Sequence, residues 1–310
     1  MSKRDIRIKY VPHGINEQMF YPITELHAEY EKVEALKKQL FGTDIPEFVI
    51  LYNARNIRRK CVPDLIAAYS LFCDNIGKDK AAKCALVLHT QPVDENGTDL
   101  PAVVDLLCNP EYQRVYFSTA RYSTPEMNVL YGISDVVALI SSNEGWGLSL
   151  TEGMMCGKPI IATVTGGMQD QFKFLNKEGK WITFDENFCS NHFGTYKKHG
   201  GWGWPVFPSN MSLVGSVATP YIWDDRVDFR DVAVAIKEAY ETSADKRLEM
   251  GVKARRWVTS DEAMMSARWM CKNVIDTVEQ ALETFIPKAK HEFTKIKKLE
   301  KKKLVHKLIY

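Results

Sequence analysis

Two glutamates eight residues apart, Glu144 and Glu152, enclose a turn with the composition of an anion-binding site. The turn, Gly145-Trp146-Gly147, follows the apolar run Val136 to Ile140, which predicts a buried strand. Apolar residues at helical intervals from Leu148 to Cys156 predict an amphipathic helix directly after the turn. The first N–H groups of a helix have no partner within it and carry partial positive charge, so anions bind there. The spacing therefore predicts two carboxylates beside an anion site on a strand-to-helix turn.

Glu152 by itself also has a simpler interpretation. Residues 149–152 read Ser-Leu-Thr-Glu, which fits the S-x-x-E pattern of a capping box. In that motif the glutamate only satisfies a backbone amide at the start of a helix. Taken alone, the four residues favour this local role.

The stretch from 144 to 167, EGWGLSLTEGMMCGKPIIATVTGG, resembles the signature of glycosyltransferase family 4, the retaining, nucleotide-sugar-dependent enzymes of GT-B architecture. The family pattern is E-x7-E with G-F-G-L inside it, followed by A-C-G-x-P-V-I-A and a Gly-Gly turn. Trp146 stands in place of Phe, and Met155 in place of Ala. Because the spacing, the glycines and the following strand all agree, the resemblance favours a binding role for Glu152 over a cap.

The resemblance implies a role for each part of this motif. Glu152 binds the ribose hydroxyls of the donor, and Glu144 with the Gly145 to Leu148 backbone binds the sugar and its phosphates. The turn at Gly166 and Gly167 lies near the donor sugar, where glycines let a backbone approach a ligand closely.

A basic segment follows the apolar run Phe48 to Tyr52, which predicts another buried strand. Four basic residues lie within six positions, a density that also fits a solvated loop. The segment resembles the family's G-R-x(4)-K-G diphosphate clamp, with Arg55 and Lys60 at the required separation. Ala54 and Cys61 replace the two glycines of that pattern. The resemblance implies that Arg55 and Lys60 offset the negative charge that develops on a departing nucleoside diphosphate.

Strand and helix patterns alternate from Phe48 to Gly167, which predicts an α/β fold with a doubly wound parallel sheet. Further strands are expected at Ala85–His89, Val115–Phe117 and Pro159–Val164, and helices at Thr24–Phe41, Val62–Ile76, Leu100–Leu107, Thr124–Gly132, Asp231–Tyr240, Ala244–Val258 and Glu262–Leu282. The resemblance implies the Rossmann-like C-terminal half of a GT-B fold, with the N-terminal Rossmann domain absent. It also implies that the loop 118–123, which contains Arg121, contacts the nucleotide base.

The chain divides into three parts. Residues 1–22 include Tyr-Val-Pro-His-Gly-Ile-Asn at 10–16 and resemble the family's interdomain linker, which assigns His13 to the linker and not to the chemistry. Residues 23–286 form the expected nucleotide-sugar-binding domain. An aromatic and glycine-rich loop at 186–226 either packs on the surface or forms a wall for donor or acceptor. Residues 287–310 form a basic tail with apolar residues at near-helical intervals, which predicts an amphipathic helix.

The composition is that of an ordinary globular protein, with 45% apolar and 26% charged residues in a chain of 310. The N-terminus is charged and no apolar run is long enough to span a bilayer, so we expect neither a signal peptide nor a transmembrane segment and predict a cytoplasmic location. The seven cysteines are scattered without metal-ligand spacing, which predicts reduced core thiols and no metal. The formal charge of +2 hides a tail with nine lysines and two glutamates at 287–307. Such a tail fits either a solvated helix end or a contact with an anionic membrane, nucleic acid or a partner protein.

The resulting hypothesis is the donor-binding half of a retaining glycosyltransferase, which transfers a hexose or related sugar from a UDP- or GDP-sugar to an unknown acceptor. It needs no cofactor and no metal, because fixed cations and a helix dipole act on the phosphates.

One alternative is a non-catalytic nucleotide-sugar-binding subunit of a split enzyme. Another is a nucleic-acid-modifying glycosyltransferase, which suits the lysine tail. A nucleotide-sugar epimerase shares the architecture but lacks the E-G-[FW]-G-L element. A partner chain would supply the N-terminal domain, and the exposed docking face favours self-association.

Overall fold

Six parallel strands form the central sheet of the computed structural model, which describes residues 9–182, 189–215 and 217–286. The predicted tail at 287–310, residues 1–8 of the linker-like segment, and residues 186–188 and 216 of the predicted loop lie outside these ranges. The strands of the sheet are β1 (Phe48–Asn53), β2 (Cys84–His89), β3 (Arg114–Ser118), β4 (Val136–Leu139), β5 (Ile160–Thr163) and β6 (Gly203–Val206).

Helices connect the strands and cover both faces of the sheet. They are α1 (Tyr30–Phe41), α2 (Val62–Ile76), α3 (Lys78–Ala81), α4 (Leu100–Leu107), α5 (Thr124–Gly132), α6 (Leu148–Met155), α7 (Gly166–Asp170), α8 (Phe229–Glu241), α9 (Ala244–Val258) and α10 (Ala267–Glu283). The strand order is β3-β2-β1-β4-β5-β6, so the chain reverses its direction across the sheet between β1 and β4. Crossovers between parallel strands are right-handed, so helices on the two sides of this reversal cover opposite faces. Accordingly α2 packs with α4 and α8, whereas α6 packs with α9. The predicted doubly wound parallel sheet is confirmed.

The apolar runs form buried strands because both faces of the sheet are covered. Every residue of β4 and β5 is buried, as are the first five residues of β1 and β2. Continuous burial of this kind is what a parallel sheet requires, and it explains why these runs show no alternation of polar and apolar residues. Polar side chains first appear at the carboxyl ends, with Asn53 closing β1 and His89 closing β2.

Four helices, α2, α4, α5 and α9, have the predicted bounds. Two predicted starts are too early, because α1 begins at Tyr30 and α10 begins at Ala267, and the predicted start of α8 at Asp231 is too late, because this helix begins at Phe229. Before α1, the residues from Thr24 onward form two successive turns, in which the amide of His27 bonds to Thr24 O at 2.8 Å and that of Tyr30 to His27 O at 2.9 Å. Before α10, Met264 has φ +55°, a left-handed conformation that interrupts a right-handed helix.

The predicted loop at 186–226 contains three strands, so its assignment as a loop is wrong. In addition to β6, a hairpin is formed by β7 (Asn210–Val214) and β8 (Ile222–Arg226). The strand β6 lies at the edge of the main sheet, with Pro205 opposite Ala162 of β5. Glycine and proline are uncommon inside strands, and the sequence Gly-Trp-Pro-Val therefore did not indicate one.

The aromatic residues before β6 pack on the core. Trp202 is buried and stacks on Trp257 of α9, with ring centroids 5.7 Å apart and planes 24° apart. Its indole N–H donates to Gln171 O at 3.0 Å. For this residue the packing interpretation of the loop holds, and the ring is not available as a wall for a sugar.

The cysteines and the helices bear on two predictions about cellular environment. Five of the seven cysteines are buried and none is in a disulfide, but Cys189 and Cys271 are exposed, so the prediction of core thiols is wrong for these two. Within the ranges that the structure describes, no helix combines the length and the apolar character that crossing a membrane requires.

Candidate functional site

A cavity of about 350 Å³ opens where the loops after β1 and β4 meet, which we call the first cavity. In open α/β sheets, ligands bind outside the carboxyl ends of the strands at the point where the strand order reverses. The reversal between β1 and β4 places this cavity at that point. It is lined by His13, Asn53, Ala54, Lys60, Glu144, Trp146, Gly147, Leu148, Ser149 and Glu152.

A buried ion pair joins the two loops. A 3-10 turn at Arg58–Lys60 carries the Lys60 ammonium into the cavity, where it contacts Glu144 Oε1. Both side chains are largely buried, at 11% and 7% exposure. Burial alone would raise the pKa of Glu144, but the hydrogen bond and the charge of Lys60 more than offset it and hold that pKa below its ordinary value. Glu144 is therefore ionised at neutral pH and fixes a cation inside the cavity.

Arg59 is a second cation at this site, although the resemblance to the diphosphate clamp had indicated only Arg55 and Lys60. Its Nη1 lies 3.0 Å from Glu144 Oε1 and donates to Asn143 O at 2.8 Å. The predicted clamp residue Arg55 is directed elsewhere. Its guanidinium is 61% exposed and forms a two-point ion pair with Asp94, through Nε at 2.8 Å and Nη2 at 3.2 Å. The structure thus brings Lys60 and Glu144 together but leaves Arg55 outside the first cavity.

Glu152 is the second carboxylate of the first cavity, and its partner is a side chain. The hydroxyl of Tyr131 donates to Glu152 Oε2 at 2.6 Å, and Asn53 Nδ2 donates to the Tyr131 hydroxyl oxygen at 2.9 Å. Burial raises the pKa of Glu152, and the hydrogen bond from Tyr131 acts against that shift.

The capping-box interpretation of Glu152 is wrong. The N-cap of α6 is Gly147, so Ser149 is the second residue of the helix and Glu152 the fifth, beyond the position from which a capping glutamate reaches back. The capping box that the chain does contain is formed by Ser123 and Glu126 at the start of α5.

The glycine turn is held by buried hydrogen bonds. Gly147 has φ +86°, a left-handed conformation that suits glycine and lets the backbone turn into α6. The buried side chain of Gln171 donates to Trp146 O at 2.8 Å, and its Oε1 accepts from the Thr151 hydroxyl at 2.9 Å. Trp146 in turn donates its indole N–H to Thr151 Oγ1 at 2.9 Å. Gln171 is therefore a positioning residue that no motif in the sequence had indicated.

The remaining predicted residues of the motif lie at the cavity wall, outside the cavity or behind the glycine turn. Leu148 is 44% exposed at the cavity wall, whereas Gly145 is exposed outside it. Gly166 and Gly167 pack behind the turn, because a Cβ at either position would lie only 2.0 Å from Glu144 O or 2.4 Å from Gly145 O. Their absence of side chains allows the two loops to touch, and the Gly167 amide bonds to Glu144 O at 3.3 Å.

A second cavity of about 450 Å³ adjoins the first along the same sheet edge and shares Asn53 and Ala54 with it. It is lined by residues that end or follow β1, β2 and β3, namely Asn53, Ala54, Arg55, His89, Thr90, Gln91, Ser118, Thr119, Ala120, Arg121 and Tyr122. The rings of His89 and Tyr122 stack with centroids 5.3 Å apart, and His89 Nδ1 lies 3.1 Å from the Ser118 hydroxyl. The predicted base-binding loop thus faces a groove that continues from the first cavity.

Residues 35–183 match the family model of glycosyl transferases group 1. The matched range includes both glutamates, Lys60 and the loops of both cavities. It leaves out His13 and the hairpin formed by β7 and β8.

Curated relatives match about half of the chain. This chain is 25% identical to the trehalose synthase of Pyrococcus horikoshii over 167 residues, an alignment that covers 54% of this chain and 39% of the relative. It is 28% identical to the N-acetyl-alpha-D-glucosaminyl L-malate synthase of Bacillus anthracis over 171 residues, an alignment that covers 54% of this chain and 38% of the relative. The alignments therefore span about two fifths of the length of these relatives.

Solved structures share the fold over most of the chain. The sucrose-phosphate synthase of Thermosynechococcus elongatus has a TM-score of 0.57 at 20% identity, over 89% of this chain and 53% of the other. Anabaena HepE in complex with UDP and glucose has a TM-score of 0.59 at 16% identity, over 88% of this chain and 57% of the other. These likenesses support the Rossmann-like α/β fold of GT-B glycosyltransferases.

Proposed function

We propose that this chain is the donor-binding half of a retaining glycosyltransferase that transfers a hexose from a UDP- or GDP-sugar to an acceptor. The observation that carries the proposal is the first cavity, in which Lys60, Glu144, Glu152 and the start of α6 converge at the strand-order reversal. The match to group 1 glycosyl transferases over the same residues supports it. So does the likeness to HepE, whose complexes contain UDP and UDP-glucose.

The diphosphate of the donor binds between the start of α6 and the cations of the loop after β1. The first amides of α6 and the Lys60 ammonium supply positive charge before the reaction begins. Arg59 adds a second positive charge beside Glu144. Negative charge grows on the departing diphosphate in the transition state, so these fixed groups stabilise it more than they stabilise the bound donor. They provide charge neutralisation without a metal ion or a cofactor.

The other parts of the donor follow the sheet edge. Glu152, held by Tyr131, accepts hydrogen bonds from the ribose hydroxyls, and Glu144 with the Trp146 to Leu148 backbone holds the sugar. The base lies in the second cavity against residues 118–122, with Arg121 at its rim. The unpaired cysteines fit the proposed cytoplasmic location.

The acceptor attacks the sugar from the side of the leaving group, which retains the anomeric configuration. We propose that a second Rossmann domain holds this acceptor, on a partner chain or on another part of the same polypeptide. Without it the reacting groups lose the alignment that makes such a transfer fast.

A thermal-shift panel of UDP-, GDP-, ADP- and TDP-sugars tests the binding step, because a ligand that binds only the folded state raises the melting temperature. We expect a UDP- or GDP-sugar to give the largest shift, and no shift with any nucleotide would contradict the proposal. Transfer to a panel of acceptors is then followed by mass spectrometry, and the anomer of the product by NMR. Binding without turnover, even with a supplied N-terminal domain, would support the non-catalytic subunit instead.

A further inference from the structure

The segment Lys9–Glu17 reaches the first cavity and is fixed on both sides of His13. On one side the Tyr10 hydroxyl donates to Asp170 Oδ2 at the end of α7. On the other, the Ile15 amide bonds to Met265 O at 3.1 Å, and the Ala267 amide bonds to Ile15 O at 2.9 Å. His13 is therefore placed by its neighbours on the chain, although its own side chain is exposed.

Gly14 makes this docking sterically possible. A Cβ at position 14 would lie 2.4 Å from Ser266 O and 2.8 Å from Met270 Cβ, both closer than atoms can approach. The Gly14 amide also lies 3.3 Å from Met270 Sδ. Any side chain at this position would push the segment away from the start of α10, and His13 would move with it.

The imidazole of His13 stands at the end of the first cavity beside the glycine turn. Its ring centroid lies 6.1 Å from that of Trp146, with the two planes 53° apart. Trp146 immediately precedes Gly147, the N-cap of α6. The second cavity joins the first at Asn53 and Ala54, on the side of β1. A donor whose base occupies the second cavity would therefore present its distal phosphate and sugar to His13.

We propose that His13 is a donor-binding residue that hydrogen-bonds the distal phosphate or the sugar of the nucleotide sugar. This inference rests on the proposed function. It assigns a ligand contact to a residue outside the range matched by the family model, in a segment whose sequence predicted only a linker. A histidine suits that place because each ring nitrogen can donate or accept a hydrogen bond. Donor affinity would then depend on the docking of the segment as well as on the two loops.

Isothermal titration calorimetry of four variants tests the proposal. The ligands are UDP-glucose or GDP-mannose, whichever the parent chain binds, and the corresponding monophosphate, which lacks the distal phosphate and the sugar. His13→Ala should lower the affinity for the nucleotide sugar about tenfold, which corresponds to the loss of one hydrogen bond to a charged group. It should change the affinity for the monophosphate by less than about twofold. His13→Asn, which keeps a hydrogen-bonding group, should recover part of the affinity. Gly14→Ala should reproduce the loss, because it displaces the segment.

His27→Ala is the matched control, since His27 does not line the first cavity, and it should keep the parent affinity for both ligands. Equal affinity of His13→Ala and parent for the nucleotide sugar would overturn the inference, even if Gly14→Ala binds weakly. An equal loss for the monophosphate would also overturn it, because His13 would then act on the shape of the cavity as a whole. If the parent binds neither nucleotide sugar, the proposed function fails and this inference, which rests on it, falls as well, whereas a parent that binds and a His13→Ala variant that binds equally well would overturn the inference alone.

Discussion

The first and second cavities lie side by side on one sheet edge, but their side chains are fixed to different degrees. In the first cavity, Lys60 and Glu144 are buried and paired, and Glu152 is held by Tyr131. In the second cavity, Arg121 is exposed and the guanidinium of Arg55 is 61% exposed beside Asp94. The difference follows from position, because the first cavity lies where loops from two neighbouring central strands close on each other.

This contrast indicates that the two cavities have different roles in binding and catalysis. Charges that stabilise a transition state are most effective when they are oriented in advance in a site that excludes water. A surface that only holds a flat base has no such requirement. We therefore expect substitutions in the first cavity to reduce turnover and substitutions in the second to change nucleotide affinity modestly.

The largest effect is expected for Lys60→Ala. The variant removes a fixed cation beside the diphosphate, so we expect turnover in the assembled enzyme to fall about 100-fold or more. It also leaves Glu144 buried without its closest cation, with Arg59 still at 3.0 Å, which should cost about 3 kcal/mol of unfolding free energy, the lower end of the range for breaking a buried pair. Urea denaturation and steady-state kinetics measure the two effects.

The double variant Lys60→Ala/Glu144→Gln is the control for this first prediction. Neutralising the glutamate removes the unpaired charge, so stability should rise again relative to Lys60→Ala, whereas turnover should not. Recovery of both would show that Lys60 acts only as a counterion for Glu144.

A smaller effect is expected for Glu152→Gln. The amide oxygen can still accept the Tyr131 hydroxyl, so the melting temperature should remain close to that of the parent. An amide oxygen accepts hydrogen bonds from the ribose hydroxyls less strongly than a carboxylate does, so binding of the nucleoside diphosphate should weaken about tenfold. Titration with UDP and GDP checks this, and unchanged affinity would remove Glu152 from the donor site.

The comparison of Arg59→Ala with Arg55→Ala separates the two cavities most directly. Arg59 contacts Glu144 but is 43% exposed, so we expect its loss to lower the affinity for the nucleoside diphosphate about threefold. Arg55 is paired with Asp94, and its loss should change affinity by less than about twofold. The reverse order of effects would favour the clamp that the sequence motif had indicated.

The last prediction concerns stability and not catalysis, and it involves Asp170, which supports the first cavity from α7. Burial raises the pKa of Asp170 to about 7, and the hydrogen bond from Tyr10 acts against that shift. The folded state therefore binds this proton more tightly than the unfolded state, where a carboxyl titrates near 4. The stability that Asp170 contributes is complete below about pH 4 and is lost as the pH rises through 7.

Asp170→Asn tests this sign, because an amide oxygen still accepts the Tyr10 hydroxyl but does not titrate. Melting temperatures recorded from pH 5 to pH 8 should fall more steeply for the parent than for the variant. Since all other groups are common to both chains, parallel curves would contradict the raised pKa.

The sequence predicted the sheet and most helices because apolar runs and caps are local signals. It also predicted Lys60, Glu144 and Glu152, since their spacing belongs to a longer pattern. It did not distinguish Arg55 from Arg59, because the direction of a side chain in a 3-10 turn depends on Glu144, a residue that is distant in sequence. Gln171 was not indicated for the same reason. Its partners are brought to it only by the folded sheet.

The edge strand β6 has a consequence for how the sheet ends. The backbone carbonyls of Trp202 and Val206 accept hydrogen bonds from Ile160 of β5 and from Val164, directly after it. Residues in the alternate register, including Pro205, therefore direct their backbone groups toward the open side. Proline has no N–H, and the outer edge therefore lacks one of the donors that another strand would use. The same residue that hides β6 from sequence patterns makes the sheet a poorer template for strand addition from a second molecule, which limits edge-to-edge aggregation.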